Sequence, residues 1–343
     1  MRIRIEDVAA AAGVSMKTVS RVLNHEPNVR DEMRERVLQA VQKLQYKPNP
    51  SARSLAGQRS YGVALVYNNP SRNYLMEIQV GMLEACHASH YNLLLAPIGD
   101  GGSRERAADL QGLFQNFGPD GVVLIPPLTD DKLITGFLEE QGVPFACIAP
   151  KHPAGRIGVM MDETAAVLEL MQSLVAMGHR RIGHIKGPSA HGACQWRLAG
   201  YRQGLKDAGI APDPALVVEG AFSFESGVVA ANQLLDLPEP PTAIFAANDD
   251  MAAGVIRAAG ERGLSVPGRL SVCGFDDTPI SRHIYPALTT IRQPTSDMGR
   301  LATLELLARI RSPQEGQMVR VQHALVPRES TRAPAARTPG APA

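Results

Sequence analysis

The stretch IEDVAAAAGVSMKTVSRVLN, residues 5–24, decides how the start of the chain is read. In Glu6–Ala12, Val8 and Ala12 fall on one helix face at i, i+4, and the small alanines let a second helix approach closely. Gly13 tolerates positive φ and Ser15 is a good N-cap, so the sequence predicts a turn and then a helix from Met16 to about Asn24. That helix buries Val19, Val22 and Leu23. A third helix is predicted over Asp31–Leu44, with Val37, Ala40, Val41 and Leu44 inward. Arg30 precedes it where a capping side chain would be usual, which leaves the cap to Asn28 or weakens it. Two helices joined by a tight turn and braced by a third form a helix-turn-helix.

The second helix turns Met16, Lys17, Thr18, Ser20 and Arg21 outward. Lys17 and Arg21 can donate to guanine O6/N7 or to phosphate, Ser15, Thr18 and Ser20 carry hydroxyls for backbone oxygens, and Met16 suits a thymine methyl. Charge follows the same division. Residues 1–60 carry 11 basic and 6 acidic side chains, a local charge of +5, while 24 basic against 28 acidic leave the remainder at −4. A solvated helical face is the ordinary fate of surface Lys and Arg; the turn chemistry and spacing here favour a polyanion partner for the head alone.

At 343 residues the chain is too long for one ordinary core. From Tyr61 to about Pro327, short apolar runs alternate with helical stretches. Strands are predicted at Tyr61–Tyr67, Asn92–Pro97, Gly121–Pro126, Pro144–Ala149, Arg181–Gly187, Ala243–Ala247 and Leu270–Phe275, and helices at Ala165–Met177, Arg197–Ala208 and Asp250–Arg262, among others. Repeated β-α alternation gives parallel sheets with helices on both faces, and ligands then bind beyond the carboxyl ends of the strands. No apolar run approaches the roughly 20 residues of a membrane span, and the acids of MRIRIEDVAAAAGV interrupt any signal peptide, so a cytoplasmic protein with no membrane partner is expected. Cys86, Cys147, Cys194 and Cys273 are scattered and read as buried free thiols. The tail STRAPAARTPGAPA cannot build a core and reads as disordered.

The segments IEDVAAAAGVSMKTVSRVLN, YKPNPSARSLAG, GHRRIGHI, WRLAGY, AANDDMAAGVIRAAGERGLSVP, LSVCGFDD and PALTTIRQP, in that order, resemble the LacI/GalR family of bacterial transcription regulators. The resemblance implies an all-α helix-turn-helix head (1–47), a hinge helix and linker (48–60), and an α/β two-lobed periplasmic-binding-protein-like body (61–328) ahead of a disordered tail (329–343). Lobe one is expected at about 61–159 and 292–318, lobe two at about 160–291 and 319–328, joined by three crossovers. It further implies operator contacts from Ser15, Met16, Lys17, Thr18, Ser20, Arg21 and Asn24. Leu55 falls where the family places a minor-groove wedge, with Ala52 beside it.

The same resemblance implies an interlobe effector site at Tyr74, Arg197, Asn248, Asp276 and Gln293, with Asp100 and Asp162 as weaker candidates. The residue types suit a sugar or sugar derivative: Arg donates in a fixed fork, Asp accepts, Asn does both, and an aromatic face covers a ring. Asp162 could instead cap a helix, and Trp196 could fill core. The implied partners are a pseudo-palindromic duplex operator, a second copy of the chain and a saccharide effector. A homodimer is expected because Thr331–Ala343 lacks leucines at heptad spacing.

Other chemistry finds no support. Arg104 breaks the dinucleotide fingerprint begun at Gly99-Asp100-Gly101-Gly102. His179, His184 and His191 lack metal-ligand spacing and read as ordinary surface or loop histidines, and no Ser-His-Asp grouping has a nucleophile's context. No enzyme activity, cofactor or metal is therefore expected. The alternative is a cytoplasmic sugar-binding module without sequence-specific DNA recognition.

Overall fold

The computed structural model describes residues 3–23, 29–46, 59–99, 101–189 and 191–335. The chain separates into two compact units, Met1–Ser60 and Tyr61–Ala343.

In the first unit, α1 (Ile5–Ala12), α2 (Met16–Leu23) and α3 (Asp31–Leu44) surround a small core of Val8, Ala9, Ala12, Val19, Val22, Val37 and Ala40. The turn forms as its residues require. Gly13 takes φ 64°, donating its N–H back to Ala10 and closing α1, and the Ser15 Oγ accepts the Thr18 N–H at 3.1 Å. Arg36 Nη2 donates to the Ala12 carbonyl at 2.6 Å and thereby ties α3 to the turn. Arg30 occupies the N-cap of α3 in extended conformation with no side-chain cap bond, as its residue type leads one to expect; Asn28 lies outside the described residues.

The second unit begins with β1 (Gly62–Tyr67), α4 (Arg72–Ala88), β2 (Asn92–Pro97), α5 (Ser103–Phe117), β3 (Gly121–Leu124), α6 (Lys132–Glu140), β4 (Phe145–Ile148) and β5 (Gly158–Met161). It then crosses into α7 (Glu163–Ala176), β6 (Ile182–Lys186), α8 (Gly192–Asp207), β7 (Val217–Glu219), α9 (Phe224–Leu235), β8 (Ala243–Ala246), α10 (Asp249–Glu261), β9 (Ser271–Asp276), α11 (Ile280–His283) and β10 (Thr289–Arg292). It returns through α12 (Thr295–Arg311) and β11 (Met318–Val321) and crosses a third time to β12 (Ala324–Val326).

Two six-stranded sheets result, in the orders β11-β5-β4-β3-β1-β2 and β12-β10-β9-β8-β6-β7. Among the described residues all pairings are parallel except β10 with β12. Strand alternation gives each sheet two apolar faces: Val63, Leu65 and Val123 pack under α4 and α12, while Ala64, Val66, Val122 and Leu124 pack under α5 and α6. Where α4 crosses α12 the backbones nearly touch, since a Cβ on Gly81 would lie 1.7 Å from the Ser296 carbonyl oxygen and one on Gly299 2.4 Å from that of Ile78. Among the described residues no helix is long and apolar enough to cross a membrane.

Three expectations need correction. The last segment of the body is two strands: β11 pairs with β5 in the first sheet, and only β12 joins the second. Residues 319–321 therefore belong with Met318 to lobe one, because β5 offers an open edge that a parallel strand completes. Residues 160 and 161 likewise belong to lobe one as the end of β5, and Arg292 belongs to lobe two as the end of β10. Finally, residues 329–335 are seated rather than disordered: Ser330 is fully buried, its N–H donates to the Ala287 carbonyl, its carbonyl accepts the Val272 N–H, and the His179 ring bonds the Arg332 carbonyl at 2.9 Å. Backbone bonding anchors a segment that composition alone would leave loose.

Candidate functional site

The head presents one face of α2. Met16 and Lys17 are exposed, Thr18, Ser20 and Arg21 are half-buried, and Val19 and Val22 point inward. The hydroxyls of Ser15 and Thr18 lie 2.9 Å apart and bond each other, so Ser15 spends its side chain on the helix start. Asn24, Ala52 and Leu55 lie outside the described residues.

In the body, a narrow cleft opens between the two sheets at the carboxyl ends of their strands. The carboxyl-end loops are built by caps: Ser71 accepts the Tyr74 N–H, Asp162 the Ala165 N–H at 2.9 Å and Asn248 the Met251 N–H at 2.9 Å, starting α4, α7 and α10 respectively. Tyr74, Arg197, Asn248, Asp276 and Gln293 all line this one cleft.

Its centre is a buried charge cluster. Arg197 Nε donates to Glu163 Oε2 at 2.7 Å, its Nη1 donates to the Ala247 carbonyl, and its Nη2 stands 3.7 Å from Asp276 Oδ1. The guanidinium lies over the Phe275 ring, 3.7 Å from the centroid. Gln293 Nε2 donates to Asp276 Oδ1 at 2.6 Å. Asp276 takes φ 110°, a left-handed conformation costly for a residue with a Cβ, which the surrounding contacts impose at the end of β9. Burial pushes the Asp276 carboxyl up to about 7 against the opposing pull of Arg197 and Gln293. Beneath it, Asp249 accepts from Thr278 N–H, Thr278 Oγ1 and Thr290 Oγ1, and burial together with the Asp276 charge raises it well above the usual carboxylate range.

One wall is aromatic. His191 meets Phe222 edge-on with ring centroids 5.1 Å apart, and burial, then the charges of Arg197 and Lys151, lowers the imidazole to about 4. Across the mouth, Ser71 Oγ and Asn73 Nδ2 of lobe one donate to the Asp250 carboxylate of lobe two at 3.1 and 2.9 Å. Trp196, at the first turns of α8, packs against the core of lobe one.

Residues 4–49 match the family model for bacterial regulatory proteins of the lacI family, and residues 171–331 that for a periplasmic binding protein-like domain. Catabolite control protein A of Priestia megaterium is 32% identical over 97% of this chain and 100% of its own length. The chain belongs to the LacI family. Among solved structures, the lac repressor dimer bound to operator and the anti-inducer ONPF superposes with a TM-score of 0.78 at 29% identity, covering 97% of this chain and 100% of that one. The transcriptional regulator CelR–cellobiose complex follows at 0.72 and 34%, covering 96% and 100%. The protein is therefore a DNA-binding transcription regulator with an effector-binding domain.

For this LacI-family member, the structure separates the expected residues into groups. Asp162 stays off the cleft and caps α7, the alternative role foreseen for it. Asp100 is outside the described residues. Asn248 lines the cleft but commits both ends of its amide, capping α10 and donating to the Phe222 carbonyl at 3.0 Å. His179, His184 and His191 are not surface residues. His179 and His184 are fully buried, His184 stacked between Tyr201 and Phe245, and His191 lines the cleft. Sequence reasoning missed Glu163, His191 and Phe222. Glu163 had a readable signal, since a helix capped by Asp162 turns the next side chain away from the cap. Phe222 had none, being placed by its own left-handed backbone at φ 59° in a loop.

Proposed function

We propose that this regulator acts as a homodimer in the cytoplasm on a pseudo-palindromic operator, reading it through Met16, Lys17, Thr18, Ser20 and Arg21, under control of a sugar or sugar derivative bound between the lobes. The observation that carries the effector half is the convergence of Tyr74, Arg197, Asp276 and Gln293 from four separate elements on one cleft. Forked donors, acceptors and aromatic faces in one small space fit a polyhydroxylated ring. The similarity to CelR, whose structure holds cellobiose, supports the same ligand class.

Dimerisation has its own support. Met76, Val80 and Leu83 form an exposed apolar stripe along α4, and Leu95 is exposed on β2, an edge strand of its sheet. Contiguous apolar surface of this kind marks an association face. The roles of Asn24, Ala52 and Leu55 rest on the family resemblance. The test is fluorescence anisotropy with duplexes from the protein's own promoter and scrambled controls at physiological salt. Selective binding that a sugar releases or strengthens is expected; equal binding to both duplexes refutes the proposal.

A further inference from the structure

The electrostatics of the cleft say what kind of sugar it takes. Among the described residues, four charged or titratable side chains other than Tyr74 line it: Glu163, Asp276, Arg197 and His191. His191 stays neutral near pH 7, because burial and the neighbouring cations hold its imidazole near 4. That leaves two carboxyl groups against a single guanidinium. The guanidinium is already committed to Glu163, the Ala247 carbonyl, the Phe275 ring face and the approach of Asp276. The nearby cations, Arg106 and Lys151, line a neighbouring basin together with Asp130 and Asp131, and Arg106 is paired with Asp131. Among the described residues that line the cleft, Arg197 is thus the one cation, and Lys151, whose charge reaches His191, stands outside that lining in the neighbouring basin.

We propose that the inner cleft selects an uncharged polyol ring and rejects sugar acids and sugar phosphates, with Glu163 and Asp276 as the residues that set this charge selectivity. The proposal rests on the effector reading above and narrows it. A ligand carboxylate or phosphate would add a like charge to a buried site whose one cation is spent, where screening by water is weak. Neutral hydroxyls meet no such barrier. They donate to the two carboxylates and accept from the remaining guanidinium N–H groups. That the site already resists its own negative charge is seen in Asp276, whose carboxyl burial raises to about 7.

The test is isothermal titration calorimetry on the full chain with matched pairs: ribose and ribose 5-phosphate, glucose with glucuronate and glucose 6-phosphate, galactose and galacturonate, cellobiose and cellobionate. At least one neutral member is expected to bind at least about tenfold more tightly than its acidic counterpart, and Glu163→Gln, checked for folding by circular dichroism, is expected to narrow that ratio. An acid binding as tightly as its neutral partner overturns this inference and leaves the effector site standing. Undiminished discrimination in a folded Glu163→Gln protein overturns the assignment to these carboxylates. If no pair member binds, the sugar reading itself falls, and this inference with it.

Discussion

Replacing Arg197 by Met keeps an unbranched side chain and most of its bulk but removes the one cation between Glu163 and Asp276. Both carboxylates are almost completely buried, at 3% and 6% exposure, so neither can turn to water for compensation. Breaking a buried ion pair from one side costs about 3–5 kcal/mol, mostly as the penalty of the charge left behind. The loss of the bond to the Ala247 carbonyl and of the stacking on Phe275 falls within that range. The penalty has a sign in pH. In the wild type the folded Asp276 carboxyl already sits at about 7, above its unfolded value of roughly 4, so its contribution is fully present below pH 4 and fades as pH rises through 7. Without the guanidinium, whose charge pulls it down, the carboxyl moves higher still. The variant therefore goes on losing stability at pH values where the wild type has levelled off. Urea unfolding followed by circular dichroism should show a destabilisation of about 3–5 kcal/mol at pH 8.5 that shrinks to about 1–2 kcal/mol at pH 5.5. Glu163→Gln should cost less in the Arg197→Met background than in the wild type. An equal penalty at both pH values would refute the view that uncompensated charge, rather than packing, dominates at this site.

Four further outcomes follow from other parts of the molecule. Gly81→Val should lower the melting temperature of the body and cost more than about 3 kcal/mol of stability, because its side chain meets the Ser296 backbone rather than a movable side chain. Asp250→Ala should weaken binding of any effector that needs the lobes closed, measured by calorimetry, since it removes the acceptor shared by Ser71 and Asn73 across the cleft. Truncation after Arg328 should lower the melting temperature measurably, as it strips the backbone partners of Val272 and Ala287 supplied by Ser330. Lys17→Ala should cost about 1–3 kcal/mol of operator affinity in anisotropy titrations while leaving the melting temperature unchanged, because Lys17 is exposed on α2.

The head was legible almost residue by residue because its signals are local: positive φ at Gly13, a hydroxyl cap at Ser15, and an i, i+4 apolar face that matches the buried set. The long strands of the body were legible for the same reason, being short apolar runs between helical patterns. What escaped was structure set by distant partners. β5, β7, β10, β11 and β12 are only three or four residues long; β7, β11 and β12 also carry half-exposed or exposed side chains with no apolar run to announce them, and each completes an edge of its sheet. The site divides in the same way. Arg197, Asp276 and Gln293 were reached through the family resemblance, which carries positions that residue type alone does not single out. His191 and Phe222 become site residues only when a loop after β6 and a loop after β7 meet.

The charge cluster sits beside the crossovers, where a ligand of the proposed kind would act on lobe geometry. Glu163 opens α7 just past the first crossover, which leaves β5 at Met161, and Gln293 lies within the second, between β10 and α12. Both touch the cluster directly, Glu163 through Arg197 and Gln293 through Asp276. The cleft is thus lined by the segments about which the lobes would turn. A ligand can shift an equilibrium only by its difference in affinity between two states, and a ligand that contacts Tyr74 of lobe one and Asp276 of lobe two can satisfy both only when the lobes are close. The Asp250 bonds to Ser71 and Asn73 close the mouth in the same sense. On the proposed effector reading, binding energy would be converted into lobe angle at the crossovers themselves, on the scale of about 1–3 kcal/mol typical of coupling between sites.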